Sequence, residues 1–230
     1  MKNTDIKDIF FDLDHTLWDF DKNSELTFET IFNRNHPTIE TKEFIEKYVP
    51  INQACWKLYQ YDKISHDELR YNRLKHSFDA INYTISDEQI ESIAQEYIQL
   101  LPENNHLFDG AFEVLDYLNQ KKYNLHIITN GFAEVQYKKL NNSNIGSYFQ
   151  TITNSEMAGV KKPNPIIFEY ALDLAQAKKE SSIMIGDCLE ADVQGALNAG
   201  LDAIFFNGSN IRVEQNIKQV NHLLELKKYL

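Results

Sequence analysis

Apolar and polar positions change their rhythm twice along the chain. Ile9-Phe10-Phe11 is an unbroken apolar run that closes in Asp12-Leu13-Asp14-His15-Thr16-Leu17-Trp18, the pattern of a strand buried on both faces whose end carries two acids on one side. From about 21 to 102 the period becomes helical. Phe28, Ile31 and Phe32 fall at i, i+3 and i+4, and Phe44 to Tyr48 and Cys55, Leu58 and Tyr59 follow the same spacing. Pro37 and Pro50 are expected to break these stretches into short helices. Ser65-His66-Asp67-Glu68 and Ser86-Asp87-Glu88-Gln89 carry the capping-box pattern at the start of two more. With no buried strand in it, 21–102 reads as a helical domain inserted after the first strand.

From Phe108 onward, helical faces alternate with short β-rich runs. Ala111, Val114, Leu115 and Leu118 make one face, and Asn124 to Thr129 is a strand ending in Asn130-Gly131. A helix to about Leu140 follows, then a strand over Tyr148 to Thr153. Asn164 and Pro165 open a helix as N-cap and first residue, and Ile183-Met184-Ile185 is a buried strand ending in Gly186-Asp187. Glu190 to Ala199 reads as a helix closed by Gly200, Ala203 to Phe206 as the last core strand, and Leu223 to Leu230 as a docking helix. Strand–helix alternation predicts a doubly wound parallel α/β sheet built from 1–20 and 103–230, with ligands collecting beyond the carboxyl ends of its strands.

Composition narrows the class. A chain of 230 residues with 43% hydrophobic content can bury a full core. A formal net charge of -11 disfavours a nucleic-acid partner while leaving small anions open if a local site reverses the field. Cys55 and Cys188 are far apart and lack metal-site spacing, which fits a reducing cytoplasm. The first five residues lack the apolar segment of a secretory signal, and no apolar run approaches a membrane span.

The chemistry sits at the strand ends. Two like charges about 4 Å apart repel by roughly 4 kcal/mol at an effective dielectric of 20, so Asp12 and Asp14 need a cation, a shared proton or solvent. Asp187, with Asp192 five residues on, completes an all-oxygen set suited to a hard divalent ion, with Mg2+ as the expected occupant. Thr129 offers a hydroxyl, Asn130 an amide, and the backbone around Gly131 free N–H groups. Lys161 and Lys162 offer positive charge. Together these groups would neutralise a phosphoryl group, with an aspartate as nucleophile.

Asp12-Leu13-Asp14-His15-Thr16-Leu17, Thr129-Asn130-Gly131, Lys162-Pro163 and Gly186-Asp187 through Asp192 resemble, in order and spacing, the four motifs of the haloacid dehalogenase superfamily. The opening Asp12 to Phe20, Asn207-Gly208 and the helical insert look most like its pyrimidine 5′-nucleotidase branch. The resemblance implies a Rossmann-like core with a helical cap. It implies that Asp12 attacks phosphorus, that Asp14 serves as acid and then base, and that Thr129, Asn130 and Lys162 bind the substrate phosphate. It also implies Mg2+ held by Asp12, Asp187 and the backbone carbonyl of Asp14. A small phosphorylated metabolite, a nucleoside monophosphate, would be the substrate, and the insert would close over the site on hinges near 19–21 and 102–108. An acid at Asp14 argues against dehalogenation, and Cys188 stands where the family more often has a small hydroxyl residue.

Blander readings stand beside these. Asp192 could simply favour a helix dipole, His15 could pack a loop, Cys188 could be a small buried thiol, and the tyrosines of the insert could be core rather than base-stacking groups. A sugar-phosphate phosphatase or phosphomutase is the alternative enzyme. A phospho-receiver signalling domain is the non-enzymatic one, although such domains are about half as long and carry their acceptor aspartate on a middle strand.

Overall fold

The computed structural model describes residues 6–213 and 217–230. The reading of residues 1–5 as lacking a leader therefore lies outside the described residues. The chain divides into two compact units, 1–19 with 105–230, and 20–104.

Strand β1 (Asp8–Phe11) is buried along its whole length. The helical unit follows, as α1 (Phe20–Asn35), α2 (Thr41–Gln60), α3 (His66–Ala80) and α4 (Asp87–Leu100). Both expected capping boxes form: the side chains of Ser65 and Ser86 accept from the backbone of Glu68 and Gln89, whose side chains accept from the cap backbones in return. Each removes two orphan donors from a helix start. Pro50 does not break α2, which corrects the expectation of short helices there. The proline and Glu46, whose carbonyl it leaves unbonded, are both exposed, so water can satisfy that oxygen. Phe44, Tyr48, Asn52 and Cys55 meanwhile keep one continuous buried face. Phe28 lies at the centre of this unit's core, its ring 4.7 Å from Tyr97, 4.8 Å from Tyr48 and 4.9 Å from Phe44. These tyrosines are core residues.

The chain then continues with α5 (Ala111–Gln120), β2 (Asn124–Thr129), α6 (Ala133–Asn142), β3 (Phe149–Asn154), α7 (Ser155–Ala158), α8 (Pro165–Ala175), β4 (Ser182–Gly186), α9 (Gly195–Ala199), β5 (Asp202–Phe206) and β6 (Gln219–Val220). Asn164 caps α8 by accepting from Ile166 N at 3.0 Å, with Pro165 as first residue. All six strands, among the described residues, pair in parallel in the order β3-β2-β1-β4-β5-β6. Beyond β5, two residues of β6 add an edge that the sequence reading did not include. The helix expected over 190–199 begins as a π-helix over Leu189–Gln194, and the carboxy-terminal helix is 3-10 over Leu223–Lys228.

β1 is central, with β2 on one side and β4 on the other, so the chain leaves it in opposite directions at the switch point where open α/β sheets gather ligands. Phe11 is in register with Ile127 and Ile185. That register brings the ends of β1, β2 and β4, and with them Asp12, Thr129 and Asp187, to one edge.

Candidate active site

Asp12 follows β1 directly, its N–H donating to Ile185 O at 2.9 Å, so its position is fixed by the sheet itself. Lys162 reaches it across 150 residues of sequence. The Nζ donates to Asp12 Oδ1 and to Ile128 O, both at 2.7 Å, and lies 2.6 Å from Asp192 Oδ1. Burial works against the lysine's charge, but Asp12 and Asp192 outweigh it and hold the ammonium above its ordinary value. Lys162 is thus the lysine that reaches Asp12 and Asp192.

Asn130 positions that lysine. Its Nδ2 donates to Lys162 O at 3.0 Å and its Oδ1 accepts from Lys162 N at 2.8 Å. One donor and one acceptor of the amide are thereby engaged by Lys162's backbone. Thr129 is different. Its Oγ1 accepts from Gly131 N at 3.0 Å and from Gln136 Nε2 at 2.7 Å. With both lone pairs engaged, the hydroxyl proton is left as a donor, the role an anionic ligand needs.

Asp187 follows β4 directly, and Thr16 donates to its Oδ1 at 3.2 Å. Asp192 turns back through the π-helix, accepting from Cys188 N at 2.9 Å through Oδ2. Carboxylate oxygens of Asp12, Asp187 and Asp192 lie within 4.8 Å of one another. Burial pushes Asp12 up to about 8, Lys162 opposing and Asp192 and Asp187 adding to the rise. Burial and then Asp192 raise Asp187 to a similar value. Burial also pushes the Cys188 thiol up to about 11, which keeps it protonated and a poor nucleophile.

The Asp14 side chain does not join this cluster. Lys139 Nζ donates to its Oδ1 at 2.6 Å and Gln136 Nε2 to its Oδ2 at 2.9 Å. Reading the sequence missed Gln136, Lys139 and Thr16. The only signal for the first two was a polar i, i+3 pair one turn beyond Thr129-Asn130-Gly131, which looks like a solvated face.

A cation fits the residues present. Asp12, Asp187 and Asp192 face one buried ammonium group, Lys162. Fully ionised, the set carries two uncompensated negative charges, and its free donors are all oxygen. A hard divalent ion matches both the charge and the donor type.

An open parallel sheet with acids and a clamped lysine past its central strands is the architecture of a Rossmann-like hydrolase. The family model described as haloacid dehalogenase-like hydrolase matches residues 9–206. The chain is 32% identical over 224 residues to the pyrimidine 5′-nucleotidase PynA of Streptococcus pneumoniae, covering 97% of this chain and 92% of that one. It is 30% identical over 226 residues to the pyrimidine 5′-nucleotidase YjjG of Escherichia coli, covering 96% of each. The crystal structure of the HAD-hydrolase YfnB from Bacillus subtilis bound to magnesium is similar with a TM-score of 0.86, at 29% identity, over 98% of this chain and 99% of that one. The chain belongs to the haloacid dehalogenase-like hydrolase family and is an enzyme of that family.

Proposed function

We propose that this enzyme is a magnesium-dependent phosphomonoesterase acting on nucleoside 5′-monophosphates. The observation that carries the reading is the Asp12 carboxylate, ion-paired to Lys162 and close to Asp187, with a second acid, Asp14, two residues on. The two 5′-nucleotidase relatives, similar over almost the whole chain, support the substrate class.

The carboxylates of Asp12 and Asp187 and the backbone carbonyl of Asp14 would hold Mg2+. Asp192, with one oxygen on Lys162 and the other on the Cys188 amide, would act through those neighbours. When bound, the metal supplies positive charge against the phosphoryl oxygens. Thr129 donates its hydroxyl proton to a phosphoryl oxygen, and Lys162 both neutralises phosphate and orients Asp12. Asp12 Oδ attacks phosphorus, the bond from phosphorus to the ester oxygen breaks, and that oxygen takes a proton from Asp14. Water then attacks phosphorus, its proton goes to Asp14, and the bond to Asp12 breaks to release orthophosphate.

The test is phosphate release by purified protein with Mg2+ from nucleoside monophosphates and hexose phosphates. Asp12→Asn should give a folded protein without turnover, and hydrolysis retained in that variant rejects the mechanism. Higher kcat/KM on hexose phosphates than on any nucleotide rejects the substrate class in favour of the sugar-phosphate alternative.

A further inference from the structure

We propose that Lys139 and Gln136 are positioning residues that hold the Asp14 carboxylate in the one orientation from which it can serve the leaving group. The inference rests on the phosphatase reading above, in which Asp14 is the acid and base.

Both side chains lie on α6, a mostly polar helix, yet Gln136 is 1% exposed and Lys139 2%. A buried ammonium is a poor source of net stability, because desolvation offsets most of what its ion pair gains. What the arrangement does supply is geometry. Lys139 takes Oδ1 and Gln136 takes Oδ2, at 2.6 and 2.9 Å. One donor alone would let a carboxylate pivot, whereas two donors on different oxygens fix its plane.

While Asp14 is ionised it only accepts, so the NH2 side of the Gln136 amide faces it. The same nitrogen donates to Thr129 Oγ1, so one amide ties the proposed phosphate donor to the proposed acid and base. Lys139 Nζ is also backed by the Trp18 ring, 4.3 Å from its centroid. Gly131 makes the arrangement possible: a Cβ there would lie 2.4 Å from Gln136 Nε2.

A leaving nucleoside oxygen needs a proton as its bond to phosphorus breaks, whereas a nitrophenolate does not. Wild type, Lys139→Met and Lys139→Arg are therefore mixed rapidly with uridine 5′-monophosphate and with p-nitrophenyl phosphate, both with Mg2+. In Lys139→Met the first-turnover release of uridine should slow about 100-fold, the scale of general acid catalysis, while the nitrophenolate burst stays within about threefold. Steady-state kcat should fall on both esters, because hydrolysis of the phosphoenzyme uses Asp14 as base, and on the nitrophenyl ester KM should fall with it as the phosphoenzyme accumulates. Lys139→Arg should recover most of the uridine rate. If Lys139→Met does not fold, Lys139→Gln gives the same comparison. Equal slowing of both first turnovers, or slowing of neither, with wild type active, overturns the positioning role alone. A wild type inert towards both esters overturns the phosphatase reading and this inference with it.

Discussion

Gly186 and Asp192 share one volume: a Cβ on Gly186 would sit 2.3 Å from the Asp192 carboxyl group. The glycine that ends β4 is therefore what lets the π-helix fold its acid back onto Lys162 and the Cys188 amide. Gly186→Ala should force Asp192 aside, at a cost of about 1–3 kcal/mol for overpacking. Lowered Tm together with weaker Mg2+-induced stabilisation is the expected pair of results. An unchanged Tm would show that the acid has room to move.

Lys162→Met removes the cation that Asp12 and Asp192 share while leaving both acids buried. Breaking such a pair from one side costs roughly 3–5 kcal/mol. Denaturant unfolding should show that loss, and under the proposed function turnover should fall by about 100-fold or more, since the phosphate would lose its lysine. Wild-type stability in this variant would mean the acids are satisfied some other way.

The raised acids give stability a direction with pH. Burial raises Asp12 and Asp187 in the folded state to about 8, whereas the unfolded chain releases those protons near the ordinary carboxylate value of 3.8. The folded state thus binds more protons across that interval, and metal-free stability from this pair falls as pH rises through it. Magnesium bound to these acids would displace those protons, so the rise in Tm on going from chelator to saturating Mg2+ should be larger at pH 8 than at pH 5. His126 works the other way. Burial lowers its pKa against the opposing pull of Asp8, so its contribution is lost as pH falls below 6.5. That contribution is common to both arms and cancels in the difference. A magnesium effect that is equal or larger at pH 5 counts against this cluster as the metal site.

Pro50 sits inside α2 without ending it, at the expense of one backbone hydrogen bond. Pro50→Ala restores the donor and should stabilise the protein by about 1–2 kcal/mol, net of the greater freedom of the unfolded chain. Chemical denaturation of the variant tests this. A loss of stability would indicate that the proline ring packs against something essential.

Much of the fold was legible because it is written in local periods. β1 is a short apolar run, β2 spans the residues its β-branched and apolar pattern marked, and the capping boxes at Ser65 and Ser86 announced α3 and α4. The positions of Asp12, Thr129 and Asp187 were legible for a related reason: Asp12 and Asp187 directly follow strands and Thr129 ends one, and a parallel sheet aligns such ends whatever their separation in sequence, while Lys162 lies in the turn just before α8. β6 was not legible, because two residues carry no period and the edge exists only by pairing with β5. Pro50 misled for the opposite reason, a strong local rule being overridden by the buried face of Phe44, Tyr48, Asn52 and Cys55.

The sequence by itself determined the strand–helix alternation, the helical insert and the order of the charged groups, since these depend on side-chain spacing within a few turns of chain. Only the tertiary structure decided which polar groups leave water. Gln136 and Lys139 have the spacing of any solvated helix face, yet they are buried against Asp14, and Asn130 spends its amide on Lys162's backbone. Desolvation and ion pairing across more than a hundred residues depend on where the sheet register carries each group, and no local pattern encodes that distance.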